Sequence, residues 1–462
     1  MKTFIRSVSL FFVLLFSAQQ STHANIFSRP APKKIVILTS KGGYTHMAVA
    51  KSLDTFFGQE YEIVIINPFE TVLASLDIVK TLTFNNYDAE EAYNSMLRSG
   101  WTRLLNFCLR NIGLPTAQRQ ANKVEKLLTN YLAQLKPDML ISVIPVISLP
   151  ASNAAKNLNI PFLLITLDND LTAWVPGLKK LTHQKFATTI GFETPLTRPM
   201  LNDVGIPDTK ITASGFPVRK DFLEQKNIPT IKSDWQIPDN KFVITLVMGG
   251  AGSNLMYRYA RQIAKLDRDI HLMVLVGKNE YLGARLKKIR CSEKVSLRVV
   301  EFTDRVSDLM AASNLLITKP GPSIITEAMY MNLPMLIDHT TVHPFWENIN
   351  IKLVTDNKLG DEVKSLNDIK RIVRRYIDDT EYYQTIKNNI ASFEKEDFYK
   401  KIGHLIHTMC PPRRLHLFDQ KQNFLRSVMA PKNPYTRNPH TNRFWNNYLC
   451  SSRNNLSINR FL

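Results

Sequence analysis

The sequence Leu315-Leu316-Ile317-Thr318-Lys319-Pro320-Gly321-Pro322-Ser323-Ile324-Ile325-Thr326-Glu327-Ala328 is the stretch that determines the predicted fold. Its apolar run predicts a buried strand, its Pro and Gly residues predict a turn, and the residues that follow have the pattern of an amphipathic helix. A helix that starts directly after such a turn presents free backbone N–H groups and the positive end of its dipole to a phosphate. The stretch therefore indicates a nucleotide site, although an ordinary strand–turn–helix connection has the same local pattern.

Glu327 is predicted to lie about one turn inside this helix. A carboxylate at that position can accept hydrogen bonds from two neighbouring ribose hydroxyls, an arrangement that suits the sugar of a nucleotide. A glutamate that only faces solvent is the alternative interpretation.

Strand and helix patterns alternate on both sides of this stretch, which predicts α/β domains with parallel sheets covered on both faces. Five predicted strands form a first series and five form a second: 34–39, 61–66, 139–144, 162–166 and 186–191, then 242–248, 271–276, 296–300, 315–317 and 335–337. The series meet in a polar stretch that contains Pro217, Pro229 and Pro238. We therefore expect one domain at 33–215 and another at 216–400.

Length and charge agree with two domains and an acidic partner. A chain of 462 residues exceeds the roughly 250 to 300 residues at which single cores stop growing. The formal net charge of +19 favours anionic lipid, nucleic acid or a phosphorylated substrate, without choosing among them.

Both ends of the chain differ in composition from the α/β region. Residues 1–24 have the pattern of a secretory signal, with Lys2 and Arg6 before an apolar run that is too short to span a bilayer. An exported protein or an uncleaved membrane anchor is expected, and the pattern does not identify the side of the membrane. The four cysteines share no zinc-ligand or disulfide spacing: Cys108, Cys291, Cys410 and Cys450.

Each predicted domain has a glycine turn directly after its first strand, at 40–46 and at 248–254. Neither turn has the three spaced glycines and the later acidic residue of a dinucleotide-binding fingerprint, so hydride transfer is disfavoured. Two doubly wound domains whose glycine loops face one another would enclose a cleft suited to a transferase with two substrates.

Four motifs, taken in order, resemble the monogalactosyldiacylglycerol synthases and processive diacylglycerol glucosyltransferases, and more distantly the N-acetylglucosaminyltransferase of peptidoglycan lipid synthesis. The motifs are Gly215-Phe216-Pro217-Val218-Arg219-Lys220-Asp221-Phe222, Val276-Gly277-Lys278-Asn279, Phe302-Thr303-Asp304 with the residues up to Ser313, and the 318–328 stretch. The resemblance spans about residues 33–400. It implies a GT-B fold of two Rossmann-like domains, a UDP-sugar donor, inversion at the anomeric carbon, a membrane-bound acceptor and no metal or other cofactor.

The resemblance also implies roles for individual residues. His46 follows a glycine loop as the family's reaction-centre histidine does, with a structural histidine as the alternative. Transfer to a hydroxyl also needs a base, for which His46 is the first candidate and Asp168 the second. Asp168 or Asp170 is a further candidate to position His46 or the acceptor hydroxyl. The residues implied to bind the donor are Gly43, Gly249, Gly250, Lys278, Phe302, Thr303, Lys319, Gly321, Pro322, Ser323, Glu327, Glu347 and Asn350.

Three positions depart from the family pattern. Thr45 precedes the histidine where the family usually has glycine, and Trp346 replaces a glutamine that contacts the sugar, so the donor sugar stays open. The family histidine before Trp174 is absent, and the nearby triplet Asp168-Asn169-Asp170 imitates a metal-binding triplet of the other glycosyltransferase fold. Metal binding by this triplet remains an alternative.

Two regions combine apolar and basic residues. In 93–116 the apolar side chains are Leu97, Trp101, Leu104, Leu105, Phe107 and Leu109, and the basic ones are Arg98, Arg103 and Arg110. This composition is typical of an interfacial segment, with a helix packed on its own domain as the alternative. The tail 411–462 carries nine Lys or Arg and one Asp among aromatic residues, which suits an anionic membrane better than nucleic acid, with disorder as the third possibility.

The sequence thus predicts a membrane-associated, inverting glycosyltransferase that moves a hexose or N-acetylhexosamine from a UDP-sugar to a lipid acceptor such as diacylglycerol. The alternative is a catalytically degenerate protein that retains the fold and only binds a nucleotide or a membrane.

Overall fold

A computed structural model describes residues 31–84, 86–249 and 253–413 of this chain. Within these residues, six parallel strands form a first sheet in the order β2-β1-β3-β4-β5-β6. The strands are β1 (Lys33–Leu38), β2 (Tyr61–Ile66), β3 (Met139–Ser142), β4 (Phe162–Ile165), β5 (Phe186–Ile190) and β6 (Ile211–Ala213). β3 and β4 are buried along their whole length, because helices cover both faces of this parallel sheet.

The helices of the first half lie between these strands. They are α1 (Tyr44–Phe57), α2 (Pro68–Thr71), α3 (Ile78–Leu82), α4 (Ala89–Arg98), α5 (Thr102–Cys108), α6 (Leu114–Arg119), α7 (Ala121–Leu135), α8 (Ser148–Asn157) and α9 (Thr197–Asn202). A π-helical turn, Leu109–Gly113, connects α5 to α6. Helices α2 to α6 form an insertion between β2 and α7, and this insertion contributes to the candidate site below.

A second sheet of six parallel strands has the order β12-β11-β10-β7-β8-β9 in the described residues. Its strands are β7 (Phe242–Val247), β8 (Ile270–Gly277), β9 (Val295–Glu301), β10 (Leu315–Thr318), β11 (Met335–Asp338) and β12 (Gly360–Val363). The helices of this half are α10 (Ile228–Asp234), α11 (Asn254–Ile263), α12 (Glu280–Leu286), α13 (Val306–Ala311), α14 (Pro322–Tyr330), α15 (Asn348–Asp356), α16 (Ile369–Asp378), α17 (Thr380–Ser392) and α18 (Phe398–Met409).

The strand order of each sheet defines one switch point, where the chain changes the direction in which it adds strands. In the first sheet this point lies between β1 and β3, and in the second sheet it lies between β7 and β10. Ligands of open α/β sheets bind beyond the carboxyl ends of the strands at such points. The loops after β1, β3, β7 and β10 are therefore the expected site loops.

The last described helix returns to the first sheet. Phe398, Ile402 and Ile406 of α18 belong to the core of the first domain. Gly403 faces Phe57 of α1 so closely that a Cβ there would lie 3.2 Å from the ring. The predicted second domain ended at residue 400 and did not anticipate this return.

The predicted α/β fold with two doubly wound domains is confirmed. All ten predicted strands are present with ends shifted by two residues at most, and β6 and β12 were not predicted. The predicted leader 1–24 and the tail from residue 414 onward lie outside the described residues. Among the residues that are described, no helix is both long and apolar enough to cross a membrane.

Candidate active site

A cleft of about 2210 Å³ contains both switch points. Its walls include the loops after β1 and β3 on one side and the loops after β7 and β10 on the other, and the insertion forms part of the wall. The predicted residues that line it are Gly43, His46, Asp168, Gly249, Lys319, Gly321, Pro322, Ser323, Glu327 and Glu347.

The start of α14 faces this cleft. Gly321 is the N-cap residue and Pro322 occupies the first helical position, so no side chain caps the first amides of the helix. Proline suits this position because its fixed φ matches the helix and the missing N–H would be unpaired there anyway. The first turn of α14 therefore has backbone N–H groups and a positive dipole end available for an anion.

Glu327 and Arg219 form a paired group at the cleft wall. Nε and Nη2 of Arg219 donate to the two carboxylate oxygens of Glu327 at 2.8 and 3.2 Å. Glu327 is buried and Arg219 is half exposed. Burial raises the pKa of Glu327, and Arg219 opposes that rise. The arginine thus holds the carboxylate in a fixed orientation at the cleft wall.

Lys319 and Glu347 make a second charged contact at the same end of the cleft. Nζ of Lys319 lies 3.6 Å from Oε1 of Glu347, and Oε2 of the buried glutamate has no hydrogen-bond partner in the described structure. A buried carboxylate oxygen without a partner is costly unless a ligand satisfies it. Gly249 lies close to Lys319 with a positive φ of 84°, which glycine adopts without strain.

On the opposite wall, His46 is in the first turns of α1. Its Nδ1 lies 2.6 Å from the carbonyl oxygen of Val143, which follows β3. A carbonyl accepts only, so Nδ1 carries the proton and Nε2 keeps its lone pair in the neutral ring. Burial lowers the pKa of His46, so the ring is neutral at neutral pH. His46 thus has the protonation state of a general base.

Asp168 follows β4 and is linked to His46 through Trp174. The indole Nε1 of Trp174 donates to Oδ2 of Asp168 at 2.9 Å, and the Trp174 ring centroid lies 6.3 Å from that of His46. Burial raises the pKa of Asp168 to about 7, although the indole hydrogen bond opposes this shift. The predicted histidine and aspartate are therefore brought together around one buried tryptophan.

The insertion reaches across the cleft to the loop between β11 and α15. Nδ2 of Asn106 donates to the carbonyl oxygen of His343 at 3.0 Å, and Oδ1 of Asn106 accepts from the amide of Phe345 at 3.2 Å. The rings of Tyr93 and Trp346 stack with centroids 6.2 Å apart. Burial raises the pKa of Tyr93, and the charge of Glu347 adds to this effect. The insertion thus contacts the segment that carries Glu347.

The same loop is anchored at its start by Asp338. Tyr259 and the hydroxyls of Thr340 and Thr341 donate to its carboxylate at 2.7 to 2.8 Å. Burial opposes ionisation of Asp338, but His343 and these hydroxyl donors outweigh it and lower its pKa to about 2. The ionised carboxylate fixes the backbone that leads to Trp346.

Some predicted donor residues lie elsewhere. Asn350 is buried behind the loop between β10 and α14, where its Nδ2 donates to the carbonyl of Pro320 and its Oδ1 accepts from Asn169, both at 2.8 Å. Lys278, Phe302 and Thr303 are not among the residues that line the cleft. Nζ of Lys278 lies 5.4 Å from the Phe302 ring centroid. Gly250 lies outside the described residues.

The triplet 168–170 does not build a metal site. Asp168 accepts from Trp174, Asn169 donates to Asn350, and Asp170 accepts from the amide of Thr172. In the part of the chain that the structure describes, no group of three or more His, Cys, Asp or Glu residues could hold a metal ion.

Glu90 of α4 also lines the cleft. Sequence reasoning did not select Arg219, Asn106, Tyr93 or Glu90 as site residues. Arg219 could have been selected from the sequence, because it belongs to one of the motifs on which the resemblance rests. The other three lie in the insertion, and no local pattern indicates which of its polar side chains face the cleft.

Comparisons with known proteins agree with this architecture. Residues 243–337 match the glycosyltransferase family 28 C-terminal domain. The processive diacylglycerol beta-glucosyltransferase of Bacillus cereus (strain 03BB102) is 25% identical over 307 residues, which cover 66% of this chain and 76% of the relative. The protein of the same name from Bacillus thuringiensis (strain Al Hakam) matches with the same identity and coverage. The crystal structure of MurG from Acinetobacter baumannii superposes with a TM-score of 0.55 at 14% identity, and the match covers 82% of this chain and all of MurG.

The fold is therefore GT-B, the two-domain architecture whose cleft lies between Rossmann-like sheets. Residues 243–337, which include strands β7 to β11 of the second sheet, match the glycosyltransferase family 28 C-terminal domain, and the predicted resemblance to the processive diacylglycerol glucosyltransferases is confirmed.

Proposed function

We propose that this protein transfers a hexosyl group from a UDP-sugar to the hydroxyl of a membrane lipid such as diacylglycerol, with inversion at the anomeric carbon. The observation that carries the proposal is the arrangement across one cleft: the uncapped start of α14 and the Arg219–Glu327 pair on one wall, and His46 and Asp168 on the other. The similarity to processive diacylglycerol glucosyltransferases supports the choice of a lipid acceptor.

The donor would bind at the second domain. Glu327 would accept hydrogen bonds from the ribose hydroxyls, and the first amides of α14 would donate to the pyrophosphate. The side chains of Lys319 and Arg219 line this part of the cleft and would add positive charge. Negative charge grows on the leaving UDP in the transition state, so fixed donors and cations at this position lower the barrier.

The acceptor hydroxyl would lie between His46 and the anomeric carbon. Its oxygen forms the new bond to that carbon, the bond to UDP breaks with its electron pair leaving on the phosphate, and the hydroxyl proton passes to Nε2 of His46. The hydrogen bond from Nδ1 to Val143 orients the ring for this step and stabilises the imidazolium that results. Asp168, which accepts a hydrogen bond from Trp174 beside His46, is the second candidate base.

The insertion would present the lipid. Seven of the thirteen exposed large apolar or aromatic side chains in the described residues lie between residues 78 and 112, including Trp101, Leu104 and Phe107. Arg98 and Arg103 are exposed among them. Leu105, which the sequence also suggested as interfacial, is buried. The exposed side chains define an apolar and basic surface at the entrance of the cleft, which suits an anionic bilayer.

A catalytically degenerate binding protein is the second candidate, and one observation favours it. Trp346 stands where the resembling family has a glutamine that contacts the sugar, and its ring stacks on Tyr93 across the cleft. A bulky pair at this position could narrow the sugar subsite enough to prevent turnover.

A donor panel separates the two candidates. The full chain is mixed with vesicles that contain dioleoylglycerol and anionic phospholipid, and UDP release is measured with UDP-glucose, UDP-galactose and UDP-N-acetylglucosamine in turn. Lipid-dependent UDP release with one of these donors is expected. UDP binding in calorimetry without turnover of any donor would favour the degenerate protein.

A further inference from the structure

The glycine loop of the first domain already holds a carboxylate. Oε1 of Glu90 accepts hydrogen bonds from the backbone amides of Lys41 and Gly42 at 2.7 and 3.1 Å, and from the hydroxyl of Ser40. Its other oxygen accepts from Nδ2 of Asn67 at 2.7 Å. Amides at this position, directly after the first strand of a doubly wound sheet, are the groups that would otherwise receive a phosphate.

The side chain of Asn94 also forms hydrogen bonds with the backbone of this glycine loop. Oδ1 of Asn94 accepts from the amide of Gly43 at 3.0 Å, and its Nδ2 donates to the carbonyl of Lys41 at 2.9 Å. Three successive loop amides thus have protein acceptors. Both side chains come from α4, whose start is fixed by a capping box between Asp88 and Glu91.

The cation of the loop is also neutralised. The ammonium group of Lys41 forms an ion pair with Glu70, and the hydrogen bond that Lys41 donates to this carboxylate raises the pKa of Lys41. The loop after β10 in the second domain differs, because the start of α14 has no capping side chain. Lys319, which lies 3.6 Å from a carboxylate oxygen of Glu347, lines the cleft beside it. The first backbone N–H groups of α14 therefore have no side-chain cap, whereas the amides of the first domain's glycine loop are bonded to residues of the insertion.

We propose that Glu90 makes the acceptor side of the cleft selective for an uncharged, hydroxyl-bearing lipid and excludes acceptors that carry a phosphate or diphosphate beside the reacting group. Glu90 and the loop line the same cleft as His46. A phosphate placed near this loop would meet a carboxylate in place of free amides, so like-charge repulsion would oppose its binding. This inference rests on the transfer proposed above and narrows its acceptor class.

The first test measures anion binding without turnover. The donor site is saturated with UDP, and inorganic pyrophosphate is titrated into the full chain and two variants, Glu90→Ala and Glu90→Gln, in a calorimeter. The parent is expected to bind pyrophosphate at least tenfold more weakly than Glu90→Ala, with Glu90→Gln between them. Glu91→Gln is the matched control, because Glu91 lies next in the helix and glutamine keeps its capping role. Equal pyrophosphate affinity in the parent and both Glu90 variants would overturn the proposal, whether or not the protein has transferase activity.

The second test compares two acceptors in vesicles: dioleoylglycerol, and a monosaccharide linked to a polyprenyl diphosphate. The parent and Glu91→Gln are expected to use dioleoylglycerol at least a hundredfold faster than the diphosphate lipid, and Glu90→Ala is expected to reduce this ratio at least tenfold. A parent that uses the diphosphate lipid as fast as dioleoylglycerol would contradict the proposal. A parent that uses neither lipid counts against the proposed transfer, and the pyrophosphate titration then decides the role of Glu90 alone.

Discussion

The indole of Trp174 donates a hydrogen bond to Asp168 at 2.9 Å while the same ring lies against His46, with centroids 6.3 Å apart. One buried side chain thus lies beside both candidate bases. The two bases differ in charge state, because burial lowers the pKa of the histidine and raises the pKa of the aspartate to about 7.

The pH dependence of turnover therefore separates His46 from Asp168. A general base must be deprotonated, so the rate falls as the pH drops through the pKa of that base. The pKa of His46 is lowered from 6.5, so a His46 base predicts that most turnover persists at pH 6.5. An Asp168 base predicts that about half is already lost near pH 7. The measurement is kcat against pH for the parent, His46→Ala and Asp168→Asn.

If His46 is the base, His46→Ala should lower kcat by roughly a hundredfold or more with UDP affinity nearly unchanged. Asp168→Asn should lower kcat less and leave the acid limb of the profile in place. Asp170→Asn is the matched control, because Asp170 accepts from the amide of Thr172 and is not among the residues that line the cleft. Parent-like turnover in His46→Ala would remove this histidine from the mechanism.

The Glu327–Arg219 pair gives a prediction for nucleotide binding. Glu327→Ala should weaken UDP binding by about 1.5 to 3 kcal/mol, the usual scale for hydrogen bonds to a charged group. Arg219 is half exposed, so it can regain water contacts when its partner is removed, and the fold should persist. Calorimetry with UDP measures the effect, and circular dichroism controls for folding. Unchanged UDP affinity would exclude Glu327 from the ribose site.

Asn106 gives a prediction about the contact between the insertion and the loop between β11 and α15. Its amide makes two hydrogen bonds to the backbone on either side of Pro344, and each such bond contributes roughly 0.5 to 1.5 kcal/mol. Asn106→Ala should raise the donor KM about tenfold with a smaller change in kcat, because the segment before Glu347 loses its anchor. Asn111→Ala is the control, since the side chain of Asn111 donates to the carbonyl of Phe107, four residues earlier in the insertion, and not to the loop that contains His343 and Phe345. Equal effects of the two variants would show that Asn106 has no special role.

The exposed side chains of the insertion predict a salt-insensitive contribution to membrane binding. Replacing Trp101 and Phe107 with Ser should weaken binding to anionic vesicles at least tenfold, because burying one large apolar side chain contributes about 1.5 to 3 kcal/mol. Leu196→Ser, an exposed position outside the insertion, is the control. Deleting residues 414–462 should instead remove a salt-sensitive contribution, since charge attraction is screened over about 10 Å at moderate salt. Co-sedimentation across a salt series distinguishes the two, and parent-like binding of the Trp101 and Phe107 variant would exclude the insertion as a membrane contact.

The fold could be predicted from the sequence because its strands are apolar runs bounded by turn residues. The weaker strands were missed for the same reason: β6 has three residues, and β12 contains Asp361 and Glu362. His46 and Glu327 could also be predicted as site residues. Each lies on the helix that follows a switch-point strand, and this position follows from the order of elements.

The rest of the candidate site depends on contacts between residues far apart in the chain. Glu90 accepts hydrogen bonds from the amides of Gly42 and Lys41, which are 48 and 49 residues away along the chain. Asn106 and its partner Phe345 are 239 residues apart. A single polar residue in a mixed apolar and basic insertion gives no local sign of such a partner. Asn350 shows that a motif match alone is also insufficient. The match predicted that Asn350 binds the donor, whereas the fold places its side chain against the carbonyl of Pro320, behind the loop between β10 and α14.

The most direct test of the proposed transfer is the structure of the product. The full chain is incubated with an α-linked UDP-hexose that supports UDP release and with dioleoylglycerol vesicles, and the lipid product is analysed by mass spectrometry and by the proton coupling at the anomeric carbon. A β-linked hexosyl diacylglycerol, formed in equal amount to the UDP released, is the expected result. An α-linked product, or UDP release without any glycolipid, would contradict inverting transfer to a lipid hydroxyl in this cleft.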